Sequence, residues 1–336
     1  MNKDNQEENL YEKLVQESIN DFDKKHSLTE SWQKKIIQNG KNTARNTTIM
    51  ISLALLLLII PLMKLGTYMY YAMGGKADHL IDVASKTIYV TKPNLSLEEI
   101  ELDHKLGFFS MDIFFDVYKK IGDEDYDVGD YTVRFDLSHP RIPDKQLTLE
   151  RPFDDIPKED TEVLIHPNAL VPFNSDWSML DGLPKGTVSE AYVSFRRLMT
   201  KEELEKMIPE NTELRWLAVD TGVEEKHLDS EGSFISAIGY PAQRDYTIWS
   251  PFNNDEKSNE DIFIQILEEL KKNEPVAEKV AERNLSIAER VDYIKKHGIQ
   301  LYGAVITGPT ESIKKLDDNH DIRAMKVGEV KLWNYR

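Results

Sequence analysis

The chain has 336 residues, no cysteine and a formal net charge of −17 at pH 7. The lack of cysteine excludes disulfides, thiolate metal sites, cysteine nucleophiles and a lipid-modified cysteine anchor. The acidic excess repels phosphate and so excludes a nucleic-acid-binding role for most of the surface.

Residues 1–48 hold eight Lys/Arg and eight Asp/Glu, a net charge of zero. Over residues 9–25, Tyr11, Leu14, Val15, Ile19 and Phe22 recur at helical spacing and form one apolar stripe on a charged helix. Ser27-Leu-Thr-Glu30 has the form of a capping box and opens a second helix over about 28–39, with Trp32, Ile36 and Ile37 apolar. Gly40 suits a helix end, and Asn39 to Thr48 reads as a polar tether. Two helices of this length bury their apolar faces poorly on their own. A partner-binding segment, with Tyr11, Leu14, Val15, Ile19, Phe22, Trp32 and Ile36 as its contacts, is expected here ahead of the alternatives of a disordered tail or an interfacial helix lying on the bilayer.

Residues 49–73 read as one transmembrane helix. Ile49 to Met63 carries no charge, and after Lys64 the apolar run resumes from Leu65 to Met73. A span needs about 20 such residues. Lys64 can snorkel if it lies near one end, and Tyr68, Tyr70 and Tyr71 suit an interfacial aromatic belt. Pro61 is tolerated inside a membrane helix. The apolar core starts too far along the chain for a signal peptide, and no A-x-A site follows it. Lys34, Lys35, Lys41 and Arg45 precede the run, whereas Lys76 beyond it is offset by Asp78 and Asp82. The positive-inside rule then puts the N-terminus in the cytoplasm and the rest outside.

The part beyond the span carries a net charge of −18 and divides into a β-rich region over 77–175 and a sensor region over 176–336. In the first, Ser85–Lys92, Tyr131–Leu137 and Gln146–Leu149 read as strands, and Gly107–Tyr118 is apolar without a clear period. Asp123 to Asp130 alternates carboxylates, but its glycine falls one place late for a calcium loop and Arg134 stands where the bidentate Glu belongs, so a solvated acidic loop is expected. In the second region, Ala191–Phe195 and Glu213–Asp220 are strands around a short helix that Thr200-Lys-Glu-Glu203 caps and Pro209 stops. Helices follow over Asn259–Lys272 and Val276–His297, then a strand over Leu301–Thr307, a short helix after Pro309, and a closing strand from Ile322 to Trp333. Ile208–Val219 aligns without gaps on Leu316–Val327, with Asn211 over Asn319 and Arg215 over Arg323, which reads as a duplicated unit.

The expected fold class is α+β: a short cytoplasmic helical segment, one transmembrane helix, and an extracytoplasmic α+β domain with a duplicated βαβ, ferredoxin-like unit. The histidines are scattered, and no nucleophile, Walker or dinucleotide motif occurs. The expectation is no enzyme, no cofactor and no metal.

This layout resembles the membrane-anchored anti-sigma factors of Gram-positive bacilli that carry sigma factor regulator N- and C-terminal domains. The carriers are Tyr11 to Phe22, the helix with Trp32 leading into the tether and span, Ser189–Phe195, Arg215–Asp220, and the turn at Gly239-Tyr-Pro241. The His-and-two-cysteine zinc motif of other anti-sigma factors is absent. The resemblance implies that the cytoplasmic helices hold an extracytoplasmic-function sigma factor away from RNA polymerase. It also implies that the outer domain, through an envelope ligand or a second membrane protein, loosens that grip. Direct nucleic-acid binding is not implied. The competing reading is an envelope structural or assembly protein without a sigma partner.

Overall fold

The computed structural model describes residues 4–26, 29–97, 103–148, 164–170, 173–226, 235–247 and 250–332. It divides into two compact units, residues 1–63 and 64–336.

The N-terminal unit is helical. Helix α1 covers Asp4–His26, and α2 begins at Glu30 and runs without a break to Ala72, inside the second unit. The expected stop at Gly40 does not occur: 39–48 is helix, not tether. One glycine costs a helix only about 1 kcal/mol, which long flanking segments offset. Ser27 lies outside the described residues, and the carbonyl of Thr29 takes the first amides of α2, from Trp32 and Gln33. Among the described residues this is the one helix long and apolar enough to cross a membrane, and its most apolar window is wholly unburied.

In the C-terminal unit α2 gives way, after a kink at Gly74 and Gly75 with φ of 70° and 66°, to α3 (Lys76–Thr91). Ser85–Lys92, expected as a strand, is helical up to Thr91 and forms the C-terminal part of this helix. The segment is buried almost all round, from Leu80 and Ile81 to Val90 and Thr91, so burial overrides its β-branched preference. Thr87 and Thr91 return their hydroxyls to the carbonyls four residues back, at 2.7 and 2.6 Å.

The first sheet holds β1 (Ser96–Leu97), β2 (Asp103–Leu106), β3 (Ser110–Ile121), β4 (Glu124–Asp136), β5 (His139–Pro140) and β6 (Asp144–Leu147). Its spine is the long β3–β4 hairpin, with β1 and β2 on β3, and β5 and β6 on β4, all antiparallel. Asp123–Asp130 is not a loop: from Glu124 onward it belongs to β4. Gly129 sits there at φ 117° with β6 so close that a Cβ would meet the Gln146 carbonyl at 2.0 Å. That close approach explains the glycine without calcium.

After α4 (Trp177–Asp181) come β7 (Thr187–Met199), α5 (Lys201–Met207), β8 (Glu213–Val219) and β9 (Gly239–Pro241). Then follow α6 (Asn259–Lys272), α7 (Glu274–Ala281), α8 (Ile287–His297), β10 (Leu301–Pro309), α9 (Thr310–Lys314) and β11 (Ile322–Leu332). The capping box at Thr200 and Glu203 forms as expected. The single helix expected over 276–297 is two, broken where Glu282 and Ser286 take positive φ. Gly239-Tyr-Pro241 is not a turn but an edge strand, where a missing donor is tolerated.

The second sheet has the order β11-β7-β10-β8-β9, every pair antiparallel. It follows that β7 and β8 run parallel with β10 between them, and β10 and β11 run parallel with β7 between them. The α+β class expected for this region holds. One hydrophobic core joins α3, the β3–β4 hairpin, the second sheet and α6 to α8.

Candidate functional site

The apolar stripe of α1 lies in the open. Tyr11, Leu14, Val15, Ile19 and Phe22 share one face and are all exposed, Leu14 by 57% and Ile19 by 49%. Trp32 and Ile36 sit in the first two turns of α2 and are likewise exposed. Leu10 and Ile37 extend the two stripes. Leu10 is four residues before Leu14, a spacing readable in the sequence. All of these large apolar side chains are exposed.

In the C-terminal unit the last turns of α2 are held by the β3–β4 hairpin. Tyr71 is buried, and its hydroxyl donates to the carbonyls of Phe135 at 3.2 Å and Leu137 at 2.9 Å. The Tyr70 and Ser138 hydroxyls are 2.6 Å apart, and the Phe109 amide donates to buried Thr67 at 2.9 Å. Tyr71 therefore serves the protein interior, not an aromatic belt; Tyr70 is partly buried and Tyr68 stays exposed. Spacing shows an amphipathic tyrosine but not whether lipid or protein covers it. Tyr71→Phe is expected to lower the unfolding free energy by about 1–2 kcal/mol in a denaturant titration, since two carbonyls lose a donor.

The last turn of α3 continues the linkage. The Tyr89 hydroxyl donates to Asp245 at 2.6 Å and accepts the Leu97 amide at 3.1 Å, and Trp216 donates its indole N–H to the Tyr89 carbonyl at 3.2 Å. Burial, then the neighbouring Asp245 carboxylate, pushes the Tyr89 phenol far up. These bonds form one wall of a cleft of about 640 Å³ lined by Asn94–Leu97, Lys120, Glu213, Arg215 and 243–247. Its charges answer one another: Glu213 pairs with Lys120 at 3.0 Å and Arg215 at 2.8 Å, and Arg215 also donates to Asn94 at 3.0 Å. Burial opposes ionisation of Glu213, but the two cations hold its carboxyl below the usual range.

Behind this cleft lies a buried hub. Glu190 on β7 is fully buried, and its oxygens take Lys119 Nζ of β3 at 3.1 Å, Asn94 Nδ2 at 2.7 Å and the Glu329 amide of β11 at 3.2 Å. It thus ties both sheets to the segment after α3. Its signal in the sequence is a lone glutamate inside the apolar strand Val188–Phe195.

A second buried group joins β8 to the helices. Asp220 lies 3.5 Å from the His166 ring, accepts the Tyr293 hydroxyl at 2.9 Å and takes the Gly222 amide at 3.0 Å. Burial would raise its pKa, but these partners together bring it below the usual carboxylate value. A depressed folded pKa gives stability that is present above about pH 4 and lost as pH falls through the folded value. The stability gap between the wild type and Asp220→Asn is therefore expected to shrink on acidification below pH 4, as read in unfolding titrations at several pH values.

Comparison with known proteins gives this arrangement a family. The sigma factor regulator N-terminal model matches residues 34–126, and the sigma factor regulator C-terminal model matches residues 180–329. A probable anti-sigma-M factor, YhdL of Bacillus subtilis (strain 168), is 30% identical over 97% of this chain and 90% of its own length. No solved structure matches the chain. The matched family is regulatory rather than enzymatic. The chain belongs to the sigma factor regulator family of anti-sigma factors.

Proposed function

We propose that this anti-sigma factor holds an extracytoplasmic-function sigma factor at the cytoplasmic face of a membrane and releases it when the C-terminal unit receives an envelope signal. The exposed apolar stripe on α1 and the start of α2, next to a helix able to cross a membrane, carries this reading. Tyr11, Leu14, Val15, Ile19, Phe22, Trp32 and Ile36 form the contact face, and residues 1–48 are the sigma-binding segment. The charge asymmetry around the apolar run supports an N-terminus inside. The span lies within residues 49–73, and Thr67 and Tyr71 in its last turns pack on protein. The signal, an envelope ligand or a second membrane protein, acts on residues 77–336. It travels through α3 and the Gly74-Gly75 kink, since α3 is bonded to the cleft walls at one end and meets α2 at the other. The order β11-β7-β10-β8, with parallel flanking strands around α5 and α9, supports a duplicated ferredoxin-like βαβ origin for the second sheet.

The test is co-purification of the full chain, in nanodiscs, with candidate sigma factors. A stoichiometric complex that blocks binding of the sigma factor to core polymerase is expected. If no sigma factor forms a complex, the reading is wrong.

A further inference from the structure

We propose that the turn Gly107-Phe108-Phe109, between β2 and β3, inserts into the outer headgroup region of the bilayer and seats the C-terminal unit on the membrane. This rests on the reading of α2 as the span.

Beyond Lys64, α2 shows two faces. Thr67 and Tyr71 are buried against the hairpin. Leu65, Tyr68 and Met69, at positions i, i+3 and i+4, are exposed by 54%, 61% and 50%, and Met73, just past the end of α2, by 66%. These side chains give the chain beyond Lys64 an exposed apolar face. The turn meets the helix at that level. The Phe109 amide bonds Thr67, and the Phe109 ring lies 4.0 Å from where a Cβ on Gly66 would stand. Gly66 and Thr67 directly follow Leu65, the first exposed apolar residue after Lys64.

The turn itself is built to present rings. Phe108 and Phe109 remain 50% and 44% exposed. Phe109 is held at φ 52°, a conformation costly for a bulky side chain, and its carbonyl takes the amide of Leu137, another exposed apolar residue at positive φ. Half-exposed aromatics at this depth suit the interface between headgroups and acyl chains. Because residues 65–336 carry a net charge of −18, anionic lipid does not draw this face in. The contact is apolar and should not depend on lipid charge.

The chain has no cysteine, so single labelling sites are available by substitution. The full-length protein would be labelled with an environment-sensitive fluorophore at Phe108→Cys, in nanodiscs holding one copy, with neutral or partly anionic lipid. Glu311→Cys on α9 serves as the aqueous reference and Leu57→Cys as the reference within the span. The expected result is a blue-shifted emission at position 108 relative to 311. Quenching by lipids with a nitroxide near the headgroup should be several-fold stronger at 108 than at 311, in both lipid mixtures. Emission and quenching at 108 equal to those at 311 would overturn the proposal, as would a blue shift without lipid quenching, which would assign the face to protein. If Leu57→Cys also escapes lipid quenching, the span reading has failed. If it is quenched and position 108 is not, only the seating is wrong. Met69→Cys provides a second position should the turn variant not fold, and a water-exposed label there refutes the proposal equally.

Discussion

Leu14→Glu combined with Ile19→Glu is expected to weaken the sigma complex by about 100-fold or more. Both side chains lie on the exposed stripe of α1. A partner that covers them must desolvate two carboxylates with no counter-charge designed for them. A loss of 100-fold corresponds to about 2.7 kcal/mol, ordinary for two central apolar anchors. The substitutions should leave the protein folded, because neither residue is in the core. Lys13→Ala, on the opposite face of α1, is the control and should change affinity little. Titration of the full chain in nanodiscs against labelled sigma factor reads the effect. An unchanged affinity in the double variant would move the interface off α1.

Glu190→Ala is expected to cost about 3–5 kcal/mol of stability. The Lys119 ammonium, 1% exposed, would lose this carboxylate inside the core, and Asn94 and the Glu329 amide would lose an acceptor. By the same reasoning, Lys119→Met with Glu190→Leu removes both charges and should lie much closer to the wild type. Denaturant unfolding of the three proteins measures the difference. A Glu190→Ala protein as stable as the double variant would show that the pair contributes nothing net. Because Glu190 joins both sheets to the segment after α3, partial unfolding in Glu190→Ala should appear first at 92–97 and 117–121 by hydrogen exchange.

What could be read before the fold was known follows the range of the physics involved. The amphipathic stripe of α1, the helix able to cross a membrane, the Thr200 capping box and most strands of the second sheet are written in local periodicity and local hydrogen bonding. The errors fall where a distant partner decides. Ser85–Lys92 has the composition of a strand, yet α3 is surrounded by apolar neighbours, and burial on every side removes the amphipathic period that identifies a helix. Tyr71 has the look of a membrane belt until the Phe135 and Leu137 carbonyls arrive from 64 and 66 residues away. Gly129 and Gly239 mark close backbone approach to β6 and β8, which no local pattern reveals.

The sequence alone determined that this chain has an apolar helix long enough to cross a membrane following a neutral segment with an apolar stripe, because those properties are sums over neighbouring residues. The tertiary structure alone decided that α3 is a helix, that Glu190 binds both sheets, and that the last turns of α2 belong to the folded C-terminal unit. Each of these depends on pairing between residues far apart in the chain, where desolvation and hydrogen-bond satisfaction outweigh local propensity.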